Sequence, residues 1–318
     1  MESQVLCIGE LLIDFICSDI NVGLDEGVNF VKKAGGAPAN VAVTISKLGG
    51  KSFIAGKVGE DFFGKYLKHM LDEEGVNTSM LMEDKHSNTT LAFVSLKSNG
   101  ERDFIFNRGA DELHRYEEIN EEVVENCKII HFGSATALLG GPSKETYIKV
   151  MRLSKNAGKF ISFDPNYRSD LWKCRLEEFI EISKACIKTA DFIKVSDEEM
   201  KLISGQDDLN KGLEILHELG AGAIAVTLGK EGTLISNGKE CKIVRSIKIK
   251  SIDSTGAGDA FVGAFLWQLG KSDNPKLTVK NFEKLESITA FANKVGAVVC
   301  TKLGAIASIP TLDELNNY

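Results

Sequence analysis

Short, uniformly apolar runs alternate along the chain with longer stretches in which apolar residues recur every three or four positions. VLCIG (5–9), SFIAGKVG (52–59), KIIHFG (128–133), KFISFD (159–164), DFIKVS (191–196) and GAIAVTLG (222–229) predict strands buried on both faces. Between them APANVAVTISKLGG, DFFGKYLKHMLDEEG, SKETYIKVMRLSKNAG, RLEEFIEISKACIKTA and NKGLEILHELGAG carry the helical period. Several of these close on Gly, which readily adopts the left-handed conformation that ends a helix. Strands alternating with helices predict βαβ units in an α/β fold, a mainly parallel sheet with helices on both faces. Two segments break the rhythm. Residues 12–36 are turn-rich and lack a helical period, and TTLAFVSLKSNGERDFIFN (89–107) reads as two strands around the turn SNGE. These predict a small β lid, built from about 12–34 and 88–109, on a single domain spanning 1–318; no linker or repeat divides the chain.

Composition narrows the function classes. Of 318 residues, 43% are hydrophobic and 26% charged, ordinary values for a globular protein. Lys plus Arg number 38 against 45 Asp plus Glu, a net charge of −7, and no basic run occurs, so nucleic acid is not an expected partner. The seven cysteines are odd in number and form no C-x-x-C, which predicts reduced core thiols. The N-terminal VLCIGELLIDF carries Glu10 and Asp14 inside its apolar part and reads as the first strand rather than a signal peptide. No apolar run approaches the roughly 18 residues of a membrane span, so a cytoplasmic protein is expected, with no membrane partner. The five histidines form no metal-ligand spacing.

Two glycine motifs are decoys. GGKS (49–52) lacks the upstream Gly of a P-loop, where Ile45 stands. GAGDAF (256–261) has Phe261 at the third glycine position of a dinucleotide fingerprint and does not follow the first strand. IDSTGAGDAFVGAFLWQLG (252–270) instead sets a glycine turn directly before an apolar helix. The first N–H groups of that helix have no partner within it and form a site for an anion. Asp259 falls in the first turn, beside that anion. A lone Asp there would be ordinary helix-dipole stabilisation. Next to a stripped, phosphate-ready loop, it suits a base that takes the proton of a hydroxyl attacking the phosphate.

DSTGAGDAF resembles the C-terminal signature of the ribokinase-like sugar kinases, the phosphofructokinase-B family, and GGAPANVAVTISKLGG (35–50) resembles its N-terminal signature. The order and spacing of the two match over essentially the whole chain. The resemblance implies a doubly wound, mainly parallel sheet with a β lid over the sugar, and ATP-dependent phosphorylation of a sugar hydroxyl. It implies that Asp259 is the catalytic base and that Gly256, Ala257 and Gly258 form the anion hole. Asp14, Gly35, Gly36 and Asn40 would hold the sugar. IKVSDEEM (193–200) resembles the segment that organises Mg²⁺ and phosphates through water, with Glu199 in place but Ser196 where Asn is usual. Ser196 also suits a plain helix N-cap. VTLGKEGTLI (226–235) resembles the nucleotide-binding turn, which implicates Thr227, Gly229 and Gly232, and Asn293 falls by position at the adenine pocket. The resemblance implies a monovalent cation, potassium, held at Asp253 and Thr255 with Val299, Lys302, Gly304 and Ser308; a turn-capping role for Asp253 is the alternative.

FIFNRGADEL (104–113), FDPNYR (163–168) and IKVSDEEM look most like the fructokinase branch, with fructose converted to fructose 6-phosphate. Arg108 from the lid and Arg168 would contact the sugar or border phosphates. Within the class, 2-keto-3-deoxygluconate kinase and ribokinase are the alternatives. Outside it stand a non-catalytic sugar or nucleotide regulator on the same fold and an NAD-dependent oxidoreductase. The intact Asp259 and glycine loop oppose the former, and the lack of a Gly-rich turn after the first strand opposes the latter. An exposed lid sheet predicts a homodimer through its edges.

Overall fold

The computed structural model describes residues 4–96 and 102–318. Thirteen strands are described: β1 (Gln4–Ile8), β2 (Leu12–Cys17), β3 (Phe30–Gly35), β4 (Lys51–Gly59), β5 (Asn77–Asp84), β6 (Leu91–Leu96), β7 (Arg102–Asn107), β8 (Ile129–Phe132), β9 (Phe160–Phe163), β10 (Phe192–Ser196), β11 (Ala223–Thr227), β12 (Thr233–Ser236) and β13 (Cys241–Val244). The helices are α1 (Ala37–Lys47), α2 (Phe62–Glu73), α3 (Glu121–Asn126), α4 (Gly141–Asn156), α5 (Ser169–Trp172), α6 (Leu176–Ile187), α7 (Asp197–Ser204), α8 (Leu209–Glu218), α9 (Ala257–Gly270), α10 (Pro275–Thr278), α11 (Phe282–Val299) and α12 (Leu312–Leu315).

Nine strands form one sheet in the order β13-β12-β11-β10-β9-β8-β1-β4-β5, parallel from β11 to β5, with β12 and β13 added antiparallel at one edge. Strands β8 and β9 are buried throughout, the mark of a parallel sheet covered on both faces. Two apolar clusters cover those faces. One gathers α1, α9 and α11, including Val41, Phe265 and Val295; the other gathers α4, α6, α7 and α8, including Tyr147, Phe179 and Leu216. Chain direction across the sheet reverses beside β1, whose neighbours are β4 and β8. Such a reversal opens a crevice at the carboxyl ends of the strands, where α/β sheets bind ligands.

A second sheet, ordered β3-β2-β6-β7, is drawn from the two segments that broke the helical rhythm. Strand β2 pairs antiparallel with β3 and parallel with β6, and β6 pairs antiparallel with β7. The turn SNGE expected between β6 and β7 lies outside the described residues. One expectation is corrected. VLCIGELLIDF is two strands, not one: β1 joins the large sheet and β2 the small one. The chain turns at Gly9, whose φ is 144° and whose missing Cβ leaves room for Ser134. Glu10, in that corner, is buried, and accepts from the Ala37 N–H (3.2 Å), the Ala135 N–H (3.3 Å) and the Ser134 hydroxyl. Its carboxylate therefore ties the turn to the start of α1.

Candidate active site

Helix α9 begins at Gly256, an N-cap with φ 77° and no side-chain cap. That backbone would strain any other residue, and a Cβ there would meet Ala305 Cβ at 2.5 Å. Among the described residues, the N–H groups of Gly258 and Asp259 meet no acceptor. A capless helix N-terminus lined by glycine is chemically a phosphate cradle. Asp259 stands in this first turn, and its Oδ2 accepts from Asn40 Nδ2 at 2.8 Å, across 219 positions of sequence. Burial raises its carboxyl to about 6, with the Asn40 bond and the Arg168 charge drawing it back down. Asn40 lies inside α1 rather than at its start, so its side chain does not cap the helix. Its Oδ1 is buried without a partner. Buried acceptors are nearly always satisfied, so this one is set for a donor that arrives with a ligand.

Asp14 projects from β2 against Gly35 of β3, where a Cβ would stand 2.1 Å from Asp14 Oδ2. Burial holds its carboxyl at about 6, again opposed by Arg168, with Glu10 adding to the rise. Arg168 itself is exposed, and its charge opposes the rise of both carboxyls. Gly36, with φ 113°, lets the chain pass over the Glu10 carbonyl into α1. Arg108 is more tightly committed than a residue hanging from the small sheet. Its guanidinium donates to Asp111 Oδ2 (3.1 Å) and Ser143 Oγ (3.0 Å), and so braces β7 against α4.

The ends of β9, β10 and β11 supply the other wall. Ser196 is the N-cap of α7, and its hydroxyl accepts from the Glu199 N–H at 3.1 Å while Glu199 Oε2 accepts from the Ser196 N–H at 2.6 Å. Glu199 Oε1 takes the Tyr167 N–H at 2.7 Å, so both oxygens hold backbone in place and the capping role of this segment is realised. Thr227 is paired with Ser196 across the β10–β11 ladder. Gly229 and Gly232, with φ 55° and 106°, turn β11 back into β12, and at Gly232 a Cβ would meet the Val244 carbonyl at 2.1 Å. Asn293, expected at the adenine pocket, engages its buried amide in the fold. Oδ1 accepts from Thr233 Oγ1 at 2.7 Å and Nδ2 donates to the Val244 carbonyl at 2.8 Å, pinning α11 to β12 and β13.

Asp253 caps its own turn. Oδ1 accepts from the N–H (3.0 Å) and hydroxyl (2.6 Å) of Thr255, and Oδ2 takes the Gly304 N–H at 2.9 Å. The carboxylate thereby joins the glycine loop to the segment after α11. The Val299 carbonyl accepts the Lys302 N–H at 3.4 Å within that segment, and Lys302 Nζ reaches Glu314 at 3.4 Å. Ser308 Oγ is buried without a partner, an oxygen free to ligate.

One residue went unread in the sequence. Lys194, in the apolar run of β10, is buried, and its Nζ donates to Asp164 Oδ2 at 3.0 Å. The signal was there, a charge inside a strand that should be apolar on both faces.

A buried carboxylate beside an open helix N-terminus, bonded to an amide with an open oxygen, suits phosphoryl transfer to a hydroxyl. Comparison with known proteins agrees. Residues 2–312 match the model of the pfkB family of carbohydrate kinases. The chain is 41% identical to fructokinase-2 of Oryza sativa subsp. japonica over 316 residues, covering 97% of this chain and 91% of that one. A sugar kinase from Pyrococcus horikoshii in complex with ATP superimposes with a TM-score of 0.86 at 37% identity, over 99% of this chain and 97% of that one. A fructokinase double mutant from Vibrio cholerae O395, in its fructose-, ADP- and potassium-bound form, gives 0.87 at 29% identity, over 100% and 98%. The chain belongs to the pfkB family of carbohydrate kinases. It has the ribokinase-like fold of that class and is an ATP-dependent sugar kinase.

Proposed function

We propose that this kinase transfers the γ-phosphoryl group of ATP to a hydroxyl of fructose, yielding fructose 6-phosphate and ADP. The single observation that carries the site reading is the Asn40–Asp259 bond. It joins the two signature segments at one point and leaves one amide oxygen open. In the reaction Asp259 takes the proton of the attacking hydroxyl. The hydroxyl oxygen forms its bond to phosphorus as the bond to the β-phosphate oxygen breaks, and the electron pair leaves on ADP. The 256–258 turn receives charge on the transferred group through the open Gly258 N–H, with the Ala257 N–H held by the Ser254 carbonyl at 3.2 Å. Asp14, Asn40, Gly35 and Gly36 hold the sugar, with Arg168 at its rim and Arg108 bracing the small sheet behind it.

Ser196, Glu199, Thr227, Gly229 and Gly232 line the nucleotide side. Glu199 is the carboxylate that would meet Mg²⁺ through water, and the ion would offset charge on the phosphates. Potassium would sit at the junction of Asp253 and Thr255 with Val299, Lys302, Gly304 and Ser308, where the open Ser308 oxygen suits a cation of low charge. When bound, it would add positive charge near the anion hole. The small sheet, about 12–34 and 88–109, acts as a lid on a single kinase domain and offers a dimer surface, with Val31 and Ile105 exposed on it. No described helix is long and apolar enough to cross a membrane, which suits a cytoplasmic enzyme.

The choice of fructose rests on the named relatives and on the segments around Arg108 and Arg168. A panel assay of ATP consumption over fructose, ribose and 2-keto-3-deoxygluconate tests it. Fructose should give the highest kcat/KM, and a tenfold lead for another sugar would transfer the assignment to that sugar.

A further inference from the structure

Lys194 is an expensive residue for its position. It lies in the central parallel part of the sheet, between β9 and β11, and its side chain is only 11% exposed. A buried ion pair gains little over apolar side chains of the same size, so the Asp164 partnership alone does not account for the ammonium. Asp164 would not need it for its own geometry either. Its Oδ1 already holds the Asn166 N–H at 3.0 Å, and the amide of Asn166 donates to the Gly133 carbonyl at 2.8 Å. The ammonium carries three N–H donors, and its hydrogen bond to Asp164 uses one. Two remain.

Where they stand is decided by Gly258. A Cβ built on that residue would lie 3.4 Å from Lys194 Nζ and 3.7 Å from its Cε. The ammonium therefore sits against the first turn of α9, beside the backbone N–H groups that meet no protein acceptor. Three carboxylates, Asp164, Glu199 and Asp259, surround it and keep it charged despite burial. Only Asp164 bonds it directly, and both Glu199 oxygens are already held by backbone N–H groups. A fixed cation with spare donors and a helix N-terminus thus converge on one space beside Gly258. The group that fits is an oxyanion with several oxygens.

We propose that Lys194 is a catalytic residue of this kinase, its Nζ contacting the oxygens of the transferred phosphoryl group while Asp164 aims it. The proposal deepens the phosphotransferase reading above and rests on it. Backbone N–H groups give direction, whereas the ammonium gives a full charge that need not be gathered from solvent. It also gives Asp164 a purpose, since a buried lysine with a single anchor keeps its remaining donors pointed one way.

Three proteins test this: wild type, Lys194→Met, and the double variant Lys194→Met with Asp164→Asn. The single variant leaves the Asp164 carboxylate unpaired, so its loss of activity could follow from misfolding alone. The double variant removes both charges and restores a neutral interior. The expected result is a double variant with a melting temperature near wild type, sugar KM within about threefold of wild type, and kcat lower by at least about 10²-fold, the loss typical of one transition-state donor. Calorimetry on the same proteins should find a non-hydrolysable ATP analogue bound about tenfold or more weakly by the double variant and ADP bound nearly as by wild type, because only the former carries the terminal phosphate. Recovery of kcat in the double variant, or equal weakening of both nucleotides, would overturn the proposal and leave Lys194 as a counter-charge. If wild type phosphorylates no sugar, the phosphotransferase reading fails first, and the calorimetric comparison still decides whether Lys194 meets a terminal phosphate.

Discussion

Two buried asparagines divide this molecule into a part that is finished and a part that waits. Asn293, at the α11–β12–β13 junction, has both ends of its amide satisfied by Thr233 and Val244. Asn40, at the α1–α9 junction, gives its Nδ2 to Asp259 and leaves its Oδ1 buried and open. The residue type, burial and helical setting are alike. The difference lies in the count of partners: one amide is engaged at both ends within the fold, and the other keeps a buried oxygen open.

The heaviest blow to the waiting corner is Asp259→Asn, which keeps shape and removes the base. The kcat should fall at least about 10²-fold, with ATP affinity unchanged or slightly better. Stability gives an independent reading. The Asp259 and Asp14 carboxyls, pushed up by burial from the usual 3.8 to about 6, stay protonated in the fold after the unfolded chain has lost those protons. Their contribution to stability is thus full below about pH 4 and is lost as pH rises through about 6. An amide at 259 escapes that loss, so Tm at pH 7.5 should hold or rise by about 2 °C. A helix-capping Asp would give the reverse, with kcat nearly intact and Tm lowered.

The asparagines themselves come next. Asn40→Ala should lower kcat/KM for the sugar about 10–100-fold, equivalent to losing a hydrogen bond or two at a charged site. Asn293→Ala should leave both KM values within about threefold and cost about 2–4 kcal/mol in denaturant unfolding, because Thr233 Oγ1 and the Val244 carbonyl lose their partner. Exchanged phenotypes would break the comparison. Below about pH 6, kcat/KM should fall, approaching tenfold per unit, as Asp259 protonates, and a profile flat to pH 5 would remove the base from its role. The smallest effect expected is at the 253–308 junction. Replacing Na⁺ by K⁺ should raise the wild-type rate a few-fold, roughly 1 kcal/mol or less, and Asp253→Ala should abolish the response. A rate indifferent to the cation in wild type would leave Asp253 as the turn cap its hydrogen bonds already make it.

Much of this was legible in the order of residues. Alternation of apolar runs with helical periods is local information, fixed by the repeat of strand and helix, and it specified the parallel sheet and the β hairpin segments near the observed bounds. The pairing of a glycine turn with Asp259 in the first turn of an apolar helix was equally local, since unpaired N–H groups belong to every helix start. The split of VLCIGELLIDF between two sheets was not, because both halves are apolar and only the Gly9 turn and the buried Glu10 anchor, set by partners at 37 and at 134–135, part them. The roles of Asn40, Asn293 and Lys194 were also beyond local reading. An amide or an ammonium is the same in every sequence window; what it does depends on which donors and acceptors the fold brings within about 3 Å. The chain wrote down the elements and the anion-binding turn. Tertiary structure chose which polar groups in them would be satisfied and which left open, because desolvation is imposed by packing between segments far apart in sequence.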